Sequence, residues 1–341
     1  MNVSPLNESG QAVDWWFIYK VPKLSGGNNT AGATGYEYAY YDDPLSSVVK
    51  SPYTLNSQQG ALHHTLDALF SAPSPTTGWL FYNDEKPASA AGTDDSELGH
   101  TKGVIAFDLA TDSALWLLHS WPKYVDPGTT AMPTPLYGQT FLCLALDLAA
   151  TRALAAQMLT HQQPQVYEPR LPEGLAADDP LRLLTQTIDP NDPGEASTLS
   201  LTSRGGTAFE VIAKNRDWGK DFWNDLVGPK LGEDINVDTW IRGKSQIPPM
   251  LDSDGIHKTF DIKYITLREI GLPWAWPETR DHAKWAISYK DNWVCVGDIS
   301  RMISQEKRGG CTIAFQNAAL CDLLNKTDLL APPQHHRSGC P

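Results

Sequence analysis

The chain has 341 residues, of which 41% are hydrophobic and 20% are charged, as in an ordinary globular protein. No apolar run reaches the ~20 residues that a membrane helix needs, so we expect no membrane partner. The net charge of −13 excludes the usual basic nucleic-acid binder at neutral pH. Protonation of all nine histidines would leave a net charge of only −4, so acid conditions would favour an anionic substrate.

The cysteines and the N-terminus leave the compartment open. None of the five cysteines forms a Cys-x-x-Cys motif, which argues against a zinc cluster, and we predict no metal site. Cys295 and Cys311 flank a turn-rich segment and could be bridged in an oxidising compartment, but a reduced, buried set is an equal alternative. Residues 1–11 contain no apolar signal core, so the protein either has no secretory signal or begins after its removal.

The first part of the chain alternates apolar runs with turn residues, which predicts a mainly β arrangement. A hairpin is indicated where a strand over residues 103–109 is followed by a turn and a return strand over residues 114–119. Further strands are predicted over residues 13–20, 79–82 and 140–146, and helices over residues 58–70 and 149–161.

A second part repeats this order after a connecting segment. Residues 162–196 are crowded with Pro, Asp and Glu, and we interpret them as the link between an N-terminal half (1–161) and a C-terminal half (197–341). A second hairpin is predicted from strands over residues 284–288 and 293–297. The other predicted elements are strands over residues 198–202, 237–241 and 259–265, helices over residues 219–226 and 315–324, and a frayed tail from Pro332.

A His-x-Lys motif precedes each of the two hairpins. His100 and Lys102 enter the first, and His282 and Lys284 enter the second. Residues i and i+2 of a strand share a face, so each imidazole should stand beside an ammonium. A single motif of this kind is weak evidence, but two in equivalent settings indicate two copies of one αβ unit that share a cleft.

Paired His-x-Lys motifs suit the hydrolysis of a phosphodiester. One neutral imidazole could attack phosphorus and form a phosphohistidine, while the other, protonated, could donate to the leaving alkoxide and then deprotonate water. The two ammonium groups could hold the non-bridging oxygens. This chemistry needs no metal or other cofactor, and it predicts a bell-shaped dependence of rate on pH.

The paired motif resembles the phospholipase D superfamily, and the surrounding sequence resembles the deoxyribonuclease II family. The matching stretches occur in the family's order from near the N-terminus to about residue 312. They are Val13–Trp16 with Tyr19-Lys20, Tyr82–Asp84, Gly99–Val104, Trp116–Ser120, Gly138–Thr140, Asp281–Trp285, Trp293–Asp298 and Arg308–Gly310.

The resemblance implies a metal-independent endonuclease that cuts double-stranded DNA at acid pH and leaves 3′-phosphate ends. It also implies an α/β (α+β) fold of two pseudo-symmetric phospholipase D-like halves, with mixed sheets flanked by helices and the active-site cleft between the halves. A homodimer and an acidic or extracytoplasmic compartment (lysosome-like, periplasmic or secreted) are further expectations from the family.

The resemblance assigns the catalytic roles to five side chains. His100, Lys102, His282 and Lys284 match the two catalytic pairs, and superfamily analogy slightly favours His100 as the attacking residue. His119 matches a histidine expected on the return strand, where it should orient or tune His100.

Further residues are candidate substrate contacts. Ser120 follows His119, and Gly297-Asp298-Ile299-Ser300 replaces the family's Gly-Asp-x-Asn, so Ser300 offers a hydroxyl in place of an amide. Lys214 and Lys220 could contact phosphates, although a solvated helix start is an equal alternative. Residues expected to lie at turns or on the surface are Asp108, Asp291, His63-His64 and His335-His336.

Two other functions are compatible with these motifs. The first is hydrolysis of a different phosphodiester, such as a phospholipid, which would appear as lipid turnover without DNA cleavage. The second is a non-catalytic DNA-binding protein that retains the fold, although the presence of both histidines and both lysines argues against it.

Overall fold

Two eight-stranded sheets form the body of the protein in the computed structural model. The structure describes residues 2–325 apart from residues 27–30, 93, 95, 128–131, 187, 189–193, 242–245, 249, 252–253, 269–270 and 289. The fold is α+β, as predicted, with antiparallel and mixed sheets flanked by few helices. No helix in the described part of the chain is long and apolar enough to cross a membrane.

The first sheet is antiparallel and has the strand order β3-β2-β1-β7-β6-β5-β4-β8. Every residue of its three central strands is buried, which explains their near-continuous apolar sequences. Its strands are β1 (Trp15–Lys20), β2 (Tyr38–Asp42), β3 (Val49–Lys50), β4 (Thr77–Asn83), β5 (Lys102–Asp108), β6 (Ser113–His119), β7 (Gln139–Leu146) and β8 (Val166–Arg170).

The second sheet has the order β12-β13-β11-β16-β17-β18-β10-β9. It is mixed, because β13 runs parallel to β11 while the other pairs are antiparallel. Its strands are β9 (Ala196–Thr202), β10 (Ala208–Lys214), β11 (Ile235–Asp238), β12 (Met250–Leu251), β13 (Lys258–Asp261), β16 (Trp285–Ser288), β17 (Trp293–Gly297) and β18 (Gly310–Gln316), and a separate pair is formed by β14 (Tyr264–Thr266) and β15 (Ala275–Pro277).

The centres of the two sheets repeat one arrangement. The order β1-β7-β6-β5-β4 in the first corresponds to β10-β18-β17-β16-β11 in the second. The hairpins β5–β6 and β16–β17 occupy equivalent places, and each follows a His-x-Lys motif. The pseudo-symmetry expected from the sequence is therefore present in the strand order, although the outer strands of the two sheets differ.

The helices cover or join the sheets. Helix α1 packs Leu62, Leu66 and Leu69 against the outer face of the first sheet, a spacing that places all three on one side of a helix. Helix α2 begins at a cap in which the Asp147 side chain accepts from the amide of Ala150. The helices are α1 (Ala61–Ser71), α2 (Leu148–Gln157, continued by a π-helical turn, Met158–Gln162), α3 (Pro180–Leu183), α4 (Gly228–Leu231, preceded by a π-helical turn, Trp223–Val227), α5 (Ile303–Glu306) and α6 (Ala318–Asn325).

One hydrophobic core lies between the sheets and takes residues from both. Trp15 of β1 packs against Phe209 of β10 and Phe315 of β18, with ring centroids 6.2 and 5.2 Å away. Helices α2 and α6 contribute to the same core. The two halves are therefore joined by shared burial of apolar surface rather than by a linker alone.

Several predicted elements need correction. Strand β10 was not predicted, and the helix expected over residues 219–226 begins and ends later, as a π-helical turn over Trp223–Val227 that continues into α4. The helix expected from Phe315 begins at Ala318, because Phe315 still belongs to β18. The connecting segment contains α3 and the strand β8, which pairs with β4 of the first sheet. The tail from Pro332, with His335, His336 and Cys340, lies outside the described residues.

The cysteines on the strands are unbridged. Cys143, Cys295 and Cys311 are free and buried. The possible bridge between Cys295 and Cys311 is therefore not formed, and the reduced alternative describes these residues.

Candidate active site

Each His-x-Lys motif is seated by the opposite half of the molecule. The backbone amide of His100 donates to the carbonyl of Gly309, and that of His282 donates to the carbonyl of Gly138, both at 2.9 Å. Gly138 lies just before β7 and Gly309 just before β18, which occupy equivalent positions in the two sheets. The backbone of each motif is thus bound to the opposite half by equivalent, pseudo-symmetric hydrogen bonds.

Each imidazole ring also contacts a backbone carbonyl of the opposite half. His100 Nδ1 lies 2.5 Å from the carbonyl oxygen of Asp298, and His282 Nδ1 lies 3.0 Å from that of Ser120. A carbonyl can only accept, so the contact with Asp298 places the proton of a neutral His100 ring on Nδ1 and its lone pair on Nε2. The contact with Ser120 favours the same tautomer for His282, whose Nδ1 also lies 3.2 Å from Nζ of Lys284, a donor in the other tautomer. Ser120 follows β6 and Asp298 follows β17, so these residues also hold equivalent places.

The two motifs form one electrostatic unit. Burial lowers the pKa of His100 well below its usual value, and Lys102 and Lys284 lower it further. Burial likewise lowers the pKa of His282, with Lys284 and Lys102 adding to the effect. Each ammonium therefore acts on the histidine of both motifs, as expected for side chains that surround a single centre.

The lysines differ in their partners. Lys284 Nζ donates to the carbonyl of His282 at 2.6 Å, and burial, followed by the charge of Lys102, lowers the pKa of Lys284 to about 7. Lys102 is buried and forms an ion pair with Asp84. Among the described residues, only Lys102, the lysine of the first motif, therefore has a carboxylate directly on its ammonium.

Asp84 also joins His100 to the other half. Its Oδ2 lies 3.6 Å from His100 Nε2 and 3.4 Å from Nη2 of Arg308, which in turn donates to the carbonyls of Leu98 and Gly99. Burial alone would raise the pKa of Asp84, but Lys102, His100 and Arg308 hold it well below its usual range. No role was predicted for Asp84 or Arg308, although both lie in stretches that resemble the family.

The corresponding place beside His282 is occupied by aromatic rings. Asp84 follows β4 directly, and continuing the pairing of Asp238 with Trp285 places Trp240 at the equivalent position after β11. The Trp240 ring lies 5.0 Å from that of His282, and the Tyr137 ring lies 6.4 Å from it. The two histidines are therefore seated alike but have different neighbours.

His119 is placed on the return strand β6, as predicted. Because Leu118 pairs with Gly103, His119 stands opposite Lys102. The amide of Trp121 donates to its Nδ1 at 3.2 Å, so Nε2 carries the proton, and Nε2 is buried without a partner among the described residues. Burial, and then the charge of Lys102, lowers the pKa of His119 to about 3.

Ser120 and Asp298 contact the histidines through their carbonyls, while their side chains form hydrogen bonds with neighbouring residues. Ser120 Oγ donates to Gln139 Oε1 at 2.5 Å and accepts from the amide of Thr140 at 3.0 Å. Asp298 Oδ1 accepts from the amide of Cys311 at 2.8 Å, and burial raises the pKa of Asp298 to about 7. The carbonyls of both residues therefore orient the histidines, while substrate contact by the two side chains stays a prediction.

The remaining candidate contacts differ in burial and in their partners. Ser300 is buried, and its carbonyl accepts from the amide of Met302. Lys214 is also buried, at the end of β10 rather than at a helix start, and its ammonium is directed at three carbonyls. Lys220 is exposed, with Nζ 5.8 Å from the Trp218 ring. Of the two lysines, therefore, only Lys220 has an exposed ammonium that could contact a polyanion.

A buried carboxylate shapes the turn into the second motif. Asp281 accepts from Tyr19 Oη, Trp276 Nε1 and the amide of Ala283 at 2.7–2.8 Å. Burial nevertheless raises its pKa. Asp108 ends β5 and serves the turn of the first hairpin, as predicted, because its Oδ1 accepts from the amides of Ala110 and Thr111 at 3.0 and 3.2 Å. Within the described part of the chain, no three His, Cys, Asp or Glu side chains are grouped to hold a metal ion.

The two-sheet α+β fold and the paired motifs are consistent with a phospholipase D-like protein. A family model for deoxyribonuclease II matches residues 4–329, and the chain belongs to that family. A putative deoxyribonuclease-2 of Burkholderia pseudomallei is 60% identical over 333 residues, which cover 98% of this chain and 94% of that protein. The deoxyribonuclease-2-alpha of Rattus norvegicus is 33% identical over 330 residues, covering 93% and 91% of the respective chains.

Proposed function

We propose that the protein is an endonuclease that hydrolyses double-stranded DNA at acid pH, without a metal ion, through a phosphohistidine. The observation on which the proposal depends is the equivalent placement of His100 and His282, each of which contacts a carbonyl of the opposite half through Nδ1. Membership of the deoxyribonuclease II family and the names of its relatives support DNA as the substrate.

The reaction has two steps. Nε2 of one imidazole attacks phosphorus, the P–O5′ bond breaks, and the other imidazolium gives its proton to the leaving O5′. The second imidazole, now neutral, takes a proton from water as the oxygen of that water attacks the phosphohistidine. The N–P bond then breaks, which restores the first imidazole and leaves a 3′-phosphate. Lys102 and Lys284 offset the charge on the non-bridging oxygens in both steps.

The neighbours of the two rings favour an order of roles. The Asp84 carboxylate, 3.6 Å from His100 Nε2, stabilises a proton there, whereas Trp240 and Tyr137 lie against His282. A carboxylate beside an attacking nitrogen would also repel the phosphate. We therefore assign proton donation to His100 and attack to His282, which is the reverse of the order suggested by superfamily analogy.

The electrostatics of the site support an acid optimum. Burial and the nearby ammonium groups lower the pKa of both His100 and His282, so neither ring is protonated at neutral pH in the free protein. Acidification is needed to charge the donor. Lys284, with a pKa of about 7, also loses its charge as the pH rises through neutrality. Both effects reduce the rate above neutral pH.

A plasmid-nicking assay at pH 5 in excess EDTA tests the proposal. We expect the wild-type protein to nick supercoiled DNA, and His100→Ala or His282→Ala to lower the rate by about 10²–10⁴-fold. His63→Ala, on α1 and outside the site, is the matched control and should cut like the wild type. Cleavage that requires added metal would contradict the mechanism, and phospholipid turnover without DNA cleavage would contradict the substrate.

A further inference from the structure

We propose that Lys20 and Lys214 are a matched pair of positioning residues, each of which fixes the loop that seats the catalytic histidine of the other half. This role rests on the proposed function for the effect on activity. Its structural part concerns only the placement of the two imidazoles.

Lys20 is the last residue of β1 and is buried. Its ammonium donates to the carbonyls of Tyr137 at 2.6 Å, Val21 at 2.9 Å and Pro135 at 3.4 Å. Two of these carbonyls belong to the loop that leads into β7. The next residue of that loop is Gly138, whose carbonyl accepts from the amide of His282.

Lys214 repeats this arrangement in the other half. It is the last residue of β10, and its ammonium donates to the carbonyls of Arg308 at 2.5 Å, Glu306 at 3.0 Å and Gln305 at 3.1 Å. The carbonyls of Gln305 and Glu306 are at the C-terminal end of α5, and that of Arg308 is in the loop that follows and leads into β18. The next residue is Gly309, whose carbonyl accepts from the amide of His100.

The equivalence of the two lysines follows from the strand order. Strand β1 is the neighbour of β7, and β10 is the neighbour of β18, so each lysine ends the strand beside the loop that it holds. Each loop also presents a side chain at the histidine that it seats. Tyr137 lies against the ring of His282, and Arg308 reaches the Asp84 carboxylate beside His100.

The chemistry of the side chain matches this task. An ammonium has three donors and no acceptor, so one lysine can satisfy three converging carbonyls, which the planar fork of arginine cannot reproduce. Among the described residues, neither ammonium has a carboxylate within 4.0 Å. Burial of a charge without a carboxylate partner is costly. The hydrogen bonds by which each ammonium fixes the segment before Gly138 or Gly309 account for a buried lysine at two equivalent places.

The experiment compares full-length protein carrying [13Cε1]histidine with its Lys20→Met, Lys214→Met and Lys258→Met variants, labelled in the same way. The signals of His100 and His282 are assigned from the spectra of the two alanine variants. We expect Lys20→Met to move the His282 signal alone and Lys214→Met to move the His100 signal alone. Lys258, an exposed residue at the start of β13, is the control, and its replacement should move neither signal.

The activity of the same variants gives the second readout. Displacement of a catalytic group by ~1 Å can cost about 10²-fold, so we expect kcat on plasmid DNA to fall by that order for Lys20→Met and Lys214→Met, with KM unchanged. If a methionine variant does not fold, glutamine, which keeps two amide donors, takes its place and must show the same selective shift. Unmoved signals, or equal movement of both signals in each variant, would overturn the inference. A wild-type protein that cuts no plasmid would overturn only the proposed function.

Discussion

Asp84 and Trp240 are the residues at which the surroundings of His100 and His282 differ. The backbone seats of His100 and His282 match, but one ring faces a carboxylate and the other faces an indole. A carboxylate within about 4–6 Å typically favours a protonated partner by about 1–3 pKa units. A difference of this size supports the proposal that His100 is the proton donor.

Replacement of Asp84 tests this assignment. Asp84→Asn removes the group that raises the pKa of His100, so this pKa should fall further, and His100 should be protonated only at lower pH. We expect the high-pH limb of the pH–rate profile to move to lower pH by about 1–3 units. Asp291→Asn, at the turn between β16 and β17, should leave the profile in place. An unmoved limb, or a phosphoryl group recovered on His100 instead of His282, would reverse the roles.

The sequence predicts the residues whose spacing is local and misses those whose partners are remote. His100 and Lys102 are recognisable because two positions along a strand fix their shared setting. Arg308 contacts Asp84 across more than 200 residues, and no pattern in the chain encodes that contact. Lys214 precedes the polar run Asn215-Arg216-Asp217, as a surface residue would, yet it is buried with its ammonium directed at three carbonyls of residues 305–308.

At the scale of the elements, apolar runs predict the central strands well. Strands β5, β6 and β7 are buried on both faces, so their sequences contain little but apolar residues and their hairpin is evident. Strand β10 was missed because it begins with exposed and half-buried residues beside the edge strand β9. The π-helical turn after it has no period in the sequence that distinguishes it from an α-helix.

Phe315 tests how the elements of the two sheets are joined. Its ring lies 5.2 Å from the rings of both Trp15 and Phe209, which belong to two other strands. Phe315→Ala should lower the free energy of unfolding by about 3–5 kcal/mol, measured from urea transitions. Ile256→Ala, at a side chain that is 69% exposed, should change it by no more than about 0.5 kcal/mol. A loss below about 1 kcal/mol for Phe315→Ala would show that the cluster does not join the sheets.

At the scale of the whole molecule, the two halves complete each other. Gly309 and Asp298 of the second half hold His100, while Gly138 and Ser120 of the first half hold His282. The shared core adds a common hydrophobic interface. The repeat was visible in the sequence, but the exchange of contacts was not, because it depends on how the two copies pack.

Division of the chain tests this dependence. Residues 1–195, which include β8, and residues 196–341 are produced separately. Neither fragment should cut plasmid DNA, because each histidine would lose both its amide partner and its ring partner. Refolding the two together should restore cleavage. Activity of either fragment alone, at any level above that of His282→Ala in the intact chain, would contradict this prediction.

Each half provides the carbonyls that bind the histidine of the other half, and this arrangement has a consequence for how a DNA duplex is cut. Under the proposed function, both His-x-Lys motifs belong to a single catalytic centre. A single chain can therefore cut only one DNA strand per encounter. A complete break then requires either a second visit near the first nick or two copies of the chain acting on opposite strands. The ratio of nicked to linear plasmid, followed against protein concentration, therefore reports how many copies act together.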